Sequence, residues 1–262
     1  MAFQSWNTQH LAKFNSADSS EFLDFYEGAR DAKILSEFDN PSRRTFAPSS
    51  FRCKRIQWFR LRGVEPDKPK NADSVLDFTA VVGTALHKMI QELLRDSLGE
   101  DWIDVSEYIK ENVSNADKYT TEKSEDSLET LVSVSDPPVN FACDGIIKWK
   151  GEYILLEIKS SEFSSWSELT DPKPQHVDQT KCYCGLLNLR RVFFMYIDRQ
   201  YGGVKCYDVT HPVDNAKVIL DTMKEIQELA EYQICPEPLD KGDSWCTESH
   251  CKYYRKCALY GR

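Results

Sequence analysis

The residues best suited to chemistry in this sequence are Asp144 and, a little downstream, Glu157-Ile158-Lys159. Side chains alternate along a strand, so Glu157 and Lys159 share one face while Ile158 points into a core. A neighbouring strand can bring Asp144 onto that same face. Carboxylates are hard oxygen ligands for Mg2+ or Mn2+. A lysine can orient or help deprotonate a metal-bound water, and a metal offsets charge on a phosphoryl oxygen. Phosphodiester hydrolysis needs those parts. An acid on one strand beside a Glu/Lys pair on the next is also an ordinary surface pattern, so supporting residues decide its weight.

Two groups offer support. Gly83-Thr84-Ala85-Leu86-His87 lies in a helical stretch where Gly83, His87, Ile90 and Leu94 form one stripe. A histidine on that stripe can reach a metal at the sheet, and Gly83 one turn earlier permits close approach. A single histidine so placed is also a common core residue. Downstream, Gln179 and Tyr183 stand four apart on one helix face. A second cluster is made of thiols: Cys246, Cys251 and Cys257 crowd a short stretch beside Trp245, Tyr253 and Tyr254. Three close thiolates in a reducing compartment point to a metal, zinc being the generic choice, with a fourth ligand from afar. Cys53 is the candidate, and either Cys246 or Cys235 completes the set. Cys143, Cys182, Cys184 and Cys206 are read as small buried hydrophobes.

These residues need an α/β framework. Pro48-Ser49-Ser50 introduces a helix over 51–61, capped by Ser49 or Ser50 and ended by Gly63. An earlier helix spans about 19–35, and a Pro/Lys/Asp-rich loop over 65–73 leads into a strong helix over 75–98. A further helix is expected near 102–113. Strands follow at 128–134, and at 141–149 and 153–159, the last two a hairpin around Lys150-Gly151-Glu152. A loop over 160–174 precedes a helix over about 176–189, strands at 192–198 and 204–209, and a long amphipathic helix over about 213–232. This order predicts an α/β core with a mixed sheet. No internal repeat is present.

Taken in order, His87, Asp144, Glu157-Ile158-Lys159 and Gln179 with Tyr183 resemble the RecB-type branch of the PD-(D/E)xK nucleases, over about residues 48–257. The resemblance implies a restriction-endonuclease-like core whose mixed central sheet is flanked by helices. It implies that His87, Asp144, Glu157 and the backbone carbonyl of Ile158 bind Mn2+ or Mg2+, that Lys159 positions the attacking water, and that Gln179 and Tyr183 organise the site. One upstream cysteine with three C-terminal ones is similar to the iron–sulfur nucleases of this branch, including the AddB nuclease domain and the CRISPR-associated RecB-like exonucleases. There Cys53, Cys246, Cys251 and Cys257 would hold a [4Fe–4S] cluster joining the chain ends. The domain plan is then an extension over 1–46 and one nuclease domain over 47–262. Within it, 74–234 is the catalytic core, and 47–63 with 235–262 form the cluster-binding part.

The implied activity is exonucleolytic hydrolysis of single-stranded DNA or duplex ends in recombination, repair or replication, with a phage as one source. A CRISPR adaptation nuclease that trims prespacers uses the same residues and adds a protein partner. A third reading is a non-catalytic nucleic-acid-binding module with a zinc-type cysteine site. Composition narrows these only partly. The 262 residues hold Lys+Arg 33 against Asp+Glu 42, a net charge of −9, which argues against a dedicated nucleic-acid binder. The distribution argues otherwise: nine basic and two acidic residues lie between Arg43 and Lys70, and ten acidic and three basic between Gly99 and Thr130. Arg52, Lys54, Arg55 and Trp58, with Arg255 in the tail, are the candidate DNA contacts, cations for phosphates and an aromatic for a base. Nine cysteines at scattered spacings do not form a disulfide framework. No apolar run reaches the about 20 residues of a membrane helix, and the N-terminus lacks a signal-peptide pattern. A soluble, cytoplasmic protein is expected.

Overall fold

The strand expected over 141–149 is broken at Asp144, and the break organises the fold. In the computed structural model, β4 (Pro138–Cys143) belongs to one sheet and β5 (Gly145–Trp149) to another. Asp144 is the residue between them. The structure describes residues 20–29, 44–67, 74–124, 128–240, 242–248 and 250–261, with the side chains of 74–80 excepted.

The chain divides into two compact units, 1–41 with 68–78, and 42–67 with 79–262. Of the first, a helix over 20–29 (α1) is described, and it exposes Phe22, Leu23, Phe25 and Tyr26. The expected continuation of that helix to 35 lies outside the described residues, as do most of the extension and the loop over 68–73.

The second unit carries both sheets. The larger follows the order β1-β5-β6-β7-β8, with β1 Trp102–Ile103, β6 Glu152–Ser161, β7 Arg191–Asp198 and β8 Val204–Thr210. Only β6 and β7 pair in parallel, so the sheet is mixed. The β5–β6 hairpin turns through Lys150 at φ 52° and Gly151 at φ 83°, two left-handed residues whose twist suits a tight hairpin. The smaller sheet joins β2 (Tyr119–Lys123), β3 (Thr130–Ser135) and β4 in an antiparallel meander. β2 was not foreseen, because Tyr-Thr-Thr-Glu-Lys carries little apolar signal; only its β-branched residues favour a strand.

Helices flank the larger sheet. α3 (Ser74–Leu98) sets Ile90 and Leu94 against Leu156, Ile158 and Ile197. The opposite strand face, with Leu155, Val192, Phe194 and Tyr196, joins a core that includes Cys182, Tyr183 and Leu186 of α6 (Pro174–Leu187) and Ile219, Met223 and Ile226 of α7 (Asn215–Glu231). Cys143, Cys182 and Cys184 are buried as expected of small hydrophobes, whereas Cys206 is exposed. The loop over 160–174 contains a short helix, α5 (Phe163–Ser167).

Two starts differ from expectation. α2 (Lys54–Leu61) is capped by Cys53 rather than Ser49 or Ser50, because Pro48–Ser50 form their own 3-10 turn. It ends near Gly63, whose φ of 66° suits a glycine. The helix expected from Trp102 instead begins at Val105 (α4, Val105–Asn112). Asp104 caps it by accepting from Ser106 N at 2.8 Å and Glu107 N at 3.1 Å. Trp102 and Ile103 are left to pair with Ile147 and Ile146. The Trp102 ring lies against Gly145, where an added Cβ would meet it at 2.8 Å. Among the described residues no helix is long and apolar enough to cross a membrane.

Candidate functional site

Asp144 leaves the smaller sheet exactly where it can meet three other elements, and its surroundings make a site. It is 6% exposed. One carboxylate oxygen, Oδ2, accepts from the Ile158 backbone N–H at 2.6 Å, which ties the break to β6. The other, Oδ1, is 3.7 Å from His87 Nδ1. The same nitrogen is 3.7 Å from Glu129 Oε1. His87, Glu129 and Asp144 each offer a ligand atom, and these atoms lie within 4.8 Å of one another.

Sheet register explains the grouping. Thr130 pairs with Cys143 in the β3–β4 ladder, so Glu129 and Asp144 come next, side by side where the ladder ends. α3 supplies His87 and, one turn on, Gln91, which is fully buried. The Gln91 amide donates to the Asp144 carbonyl at 2.7 Å and accepts from Leu128 N at 3.3 Å. It therefore holds the backbone on both sides of the carboxylate pair. At Gly83, a Cβ would meet Ser160 Oγ at 3.2 Å, so the missing side chain lets α3 lie close to β6.

Glu157 and Lys159 share a strand face as the alternation requires. They form a 2.5 Å ion pair, with Glu157 1% exposed. Burial pushes the Glu157 carboxyl upward against the pull of the ammonium. For Lys159, burial opposes the charge, and Glu157 with Asp144 outweighs it, so the lysine stays protonated. Glu157 lies in this pair, outside the His87–Glu129–Asp144 group. Tyr183 stacks on Phe141 at 4.7 Å and receives a 2.6 Å hydrogen bond from the Gln179 amide. Burial holds its hydroxyl well above the usual tyrosine range, so it keeps its proton. Tyr196, opposite Lys159 in the parallel register, contacts His176 Nδ1 at 2.8 Å. Burial and the Lys159 and Lys173 charges push His176 down to about 3, so it is neutral.

Burial alone would lower His87, but the Asp144 and Glu129 carboxylates push it up to about 9. An imidazole nitrogen and two carboxylate oxygens are a hard-to-borderline donor set that fits Mn2+ or Mg2+. Glu129 and Gln91 escaped the sequence analysis. Glu129 ends an acidic stretch that reads as solvated surface, and only the strand register singles it out.

The thiols gather in a second place. Cys53, Cys246, Cys251 and Cys257 line one small apolar cavity together with Arg55, Ile56, Phe59 and Tyr253. Cys235 does not line it, although it packs nearby. Burial raises the Cys53 thiol, and backbone N–H groups of Ile56, Leu239 and Arg55 pull it back. Burial likewise pushes Cys251 up to about 11. Four cysteines around one apolar space are by type a donor set suited to a thiolate-ligated centre, although their sulfurs are not within 4.8 Å of one another as the His87, Glu129 and Asp144 ligand atoms are. The tail also packs on α2 through side chains. Tyr253 stacks on Phe59 at 5.2 Å, Tyr260 meets Trp58 at 5.6 Å, and Arg255 N donates to Asp67.

The candidate DNA contacts separate into two groups. Trp58 is buried and donates to Leu229 O, and Arg55 is buried against the tail, so neither is presented to solvent. Arg52 bonds Asp178 and Asp243, Lys54 pairs with Glu225, and Arg255 pairs with Glu248, all near the surface.

No protein-family profile matches the chain, and no curated protein matches its sequence. Solved structures do align with it, among them the following three. The crystal structure of SSO0001 does so at 16% identity and TM-score 0.48, covering 89% of this chain and 96% of that one. An alkaline exonuclease, LHK-Exo from Laribacter hongkongensis, aligns at 12% identity and TM-score 0.39 over 79% and 94%. LHK-Exo in complex with dAMP aligns at 12% and 0.34 over 69% and 87%. At these scores the alignments decide nothing about activity.

Proposed function

We propose that this protein is a divalent-metal-dependent DNA nuclease of the PD-(D/E)xK type, trimming single strands or duplex ends, with a [4Fe–4S] centre on its four clustered cysteines. The observation that carries the catalytic half is the meeting of His87, Glu129 and Asp144 beside the buried Glu157–Lys159 pair. Helix, ladder end and hairpin each contribute to that point, and Gln91 and the Ile158 N–H hold it in shape.

When bound, the metal would supply charge to a phosphoryl oxygen and lower the pKa of a water. The chain does the rest. His87, Glu129 and Asp144 would hold the ion, and His87 must release its proton first. Lys159 keeps an ammonium proton directed toward Glu157, and can pass hydrogen bonds to a water or to a phosphate oxygen. Glu157 fixes the lysine and restrains its charge. Gln179 and Tyr183 present an amide and a protonated hydroxyl beside the same carboxylates. Arg52, Lys54 and Arg255 are placed to follow phosphates once their surface acid partners let go.

The test is release of nucleotides from end-labelled single-stranded and duplex oligonucleotides with Mn2+ or Mg2+. Activity that needs metal and vanishes in Asp144→Ala supports the proposal. Metal-independent activity, or full activity in that variant, overturns it. The cluster half is tested by anaerobic purification: a brown protein absorbing near ~400 nm with bound iron and sulfide supports it. A colourless protein carrying zinc overturns it.

A further inference from the structure

Arg55 is 3% exposed, and among the described residues its bonds go to no carboxylate. Its Nε donates to Pro236 O at 2.7 Å, and its Nη1 lies 3.5 Å from Cys257 O and 3.3 Å from Cys257 Sγ. Arg52 and Arg191 are instead answered by acids, Arg52 by Asp178 and Asp243 and Arg191 by Glu152 and Asp208. A guanidinium does not give up its proton in a protein, so burial cannot neutralise it as it would a lysine. A buried charge left without an opposite charge is strongly destabilising. Two carbonyl oxygens offset part of that through their dipoles and none of it through charge.

The missing anion has one place to be. Arg55 lines the cavity that Cys53, Cys246, Cys251 and Cys257 line. Four thiolates on a [4Fe–4S]2+ core sum to a charge of −2, next to a guanidinium that no carboxylate pairs among the described residues. We infer that Arg55 is the built-in countercharge of the thiolate centre and, through its contact with the Cys257 sulfur, sets that centre's reduction potential. The inference rests on the iron–sulfur reading above. One electron taken from a low-potential donor such as dithionite makes the centre −3. An adjacent cation favours that state over −2, so it raises the potential, and hydrogen bonds to ligand sulfur act in the same direction. Arg55 is thus a positioning residue of the centre, two residues beyond the ligand Cys53.

The experiment uses the full chain, purified anaerobically as wild type, Arg55→Gln and Arg55→Lys. Iron, sulfide and visible absorbance are measured first, then the potential by dithionite titration followed optically and by electron paramagnetic resonance. The expected result is a shift of the Arg55→Gln centre toward the oxidised form by about tenfold or more, which is about 59 mV for one electron. Arg55→Lys should fall between, since it keeps the charge and loses the fork. If Arg55→Gln sheds its iron while Arg55→Lys keeps it, the countercharge role stands on retention instead. An Arg55→Gln protein with full iron and a wild-type potential overturns the inference, and so do equal iron losses in both variants, which would mark a packing role. A wild type without iron sinks the iron–sulfur reading itself, and is told apart at the first measurement.

Discussion

The two clusters of ligating side chains are built in opposite ways. His87, Glu129 and Asp144 are fixed by regular structure, a helix turn and the end of a strand ladder, and Gln91 and the Ile158 N–H further hold Asp144. The four cysteines come from one helix cap and a tail of turns, with Cys257 on the five-residue helix Tyr254–Ala258. They line one apolar space, and no strand ladder holds them. The first group is preorganised by the fold and, on the proposed reading, would accept a metal late. The second would, on the same reading, gain further order from what it binds, which is the physical pattern of metal-linked folding. Loss of a ligand should therefore silence the first site locally and loosen the second regionally.

The largest expected effect breaks the comparison most directly. Asp144→Ala should reduce nuclease activity to background while iron content and thermal unfolding of the tail stay near wild type. Cys53→Ser should do the reverse, with iron lost and the segment over 235–261 cut faster by protease. If Asp144→Ala also opens the tail, the two sites are not independent.

Next in size is Gln91. Its amide touches no ligand atom, but it holds the backbone beside Asp144 and Leu128. Gln91→Ala should weaken apparent metal affinity by about 10–100-fold, the usual cost of an outer-shell support. Titration of activity against Mn2+ measures it, and an unchanged midpoint would leave Gln91 a core residue only.

How legible each site was follows from the same contrast. His87 and the Glu157/Lys159 pair stood out because helix and strand periods place them without tertiary knowledge. Glu129 did not, since its partner across the ladder is known only once β3 and β4 are paired. Gln91 did not, because a buried amide looks like any polar helix residue. The hairpin strand over 141–149 was right in type and missed the change of sheet at Asp144, which depends on β4 pairing with β3 in a separate sheet. The thiols were legible by residue type alone. What they enclose, and that Arg55 and Trp58 turn inward rather than toward DNA, needed the packing of the tail on α2.

A smaller effect is on pH. His87 is pushed up to about 9, above its ordinary 6.5, by Asp144 and Glu129. In metal-free protein its protonated form stabilises the fold, fully below about 6.5 and progressively less as pH rises through about 9. At about 1.4 kcal/mol per pKa unit, the coupling amounts to a few kcal/mol at most. Metal binding has the opposite slope, because the ion displaces that proton, so Mn2+ affinity should climb with pH until about 9. His87→Gln should flatten both curves. A wild-type Mn2+ affinity that is level between pH 7 and 9 would place the ion elsewhere.

The smallest effect separates surface from site. Lys54 pairs with Glu225 at 2.7 Å, and both side chains are about half exposed. Such a pair contributes roughly 0–1 kcal/mol, so Lys54→Ala should barely move the unfolding temperature and should leave iron content unchanged. If the ammonium instead exchanges Glu225 for a phosphate when DNA binds, the variant loses one released counterion. The slope of log affinity against log salt for single-stranded DNA then flattens by about 0.7. Glu225→Gln gives the complementary result, freeing the lysine and tightening DNA binding at low salt. An identical slope in wild type and Lys54→Ala would confine Lys54 to its surface pair, and would move the phosphate path away from α2 toward Arg255 and the tail.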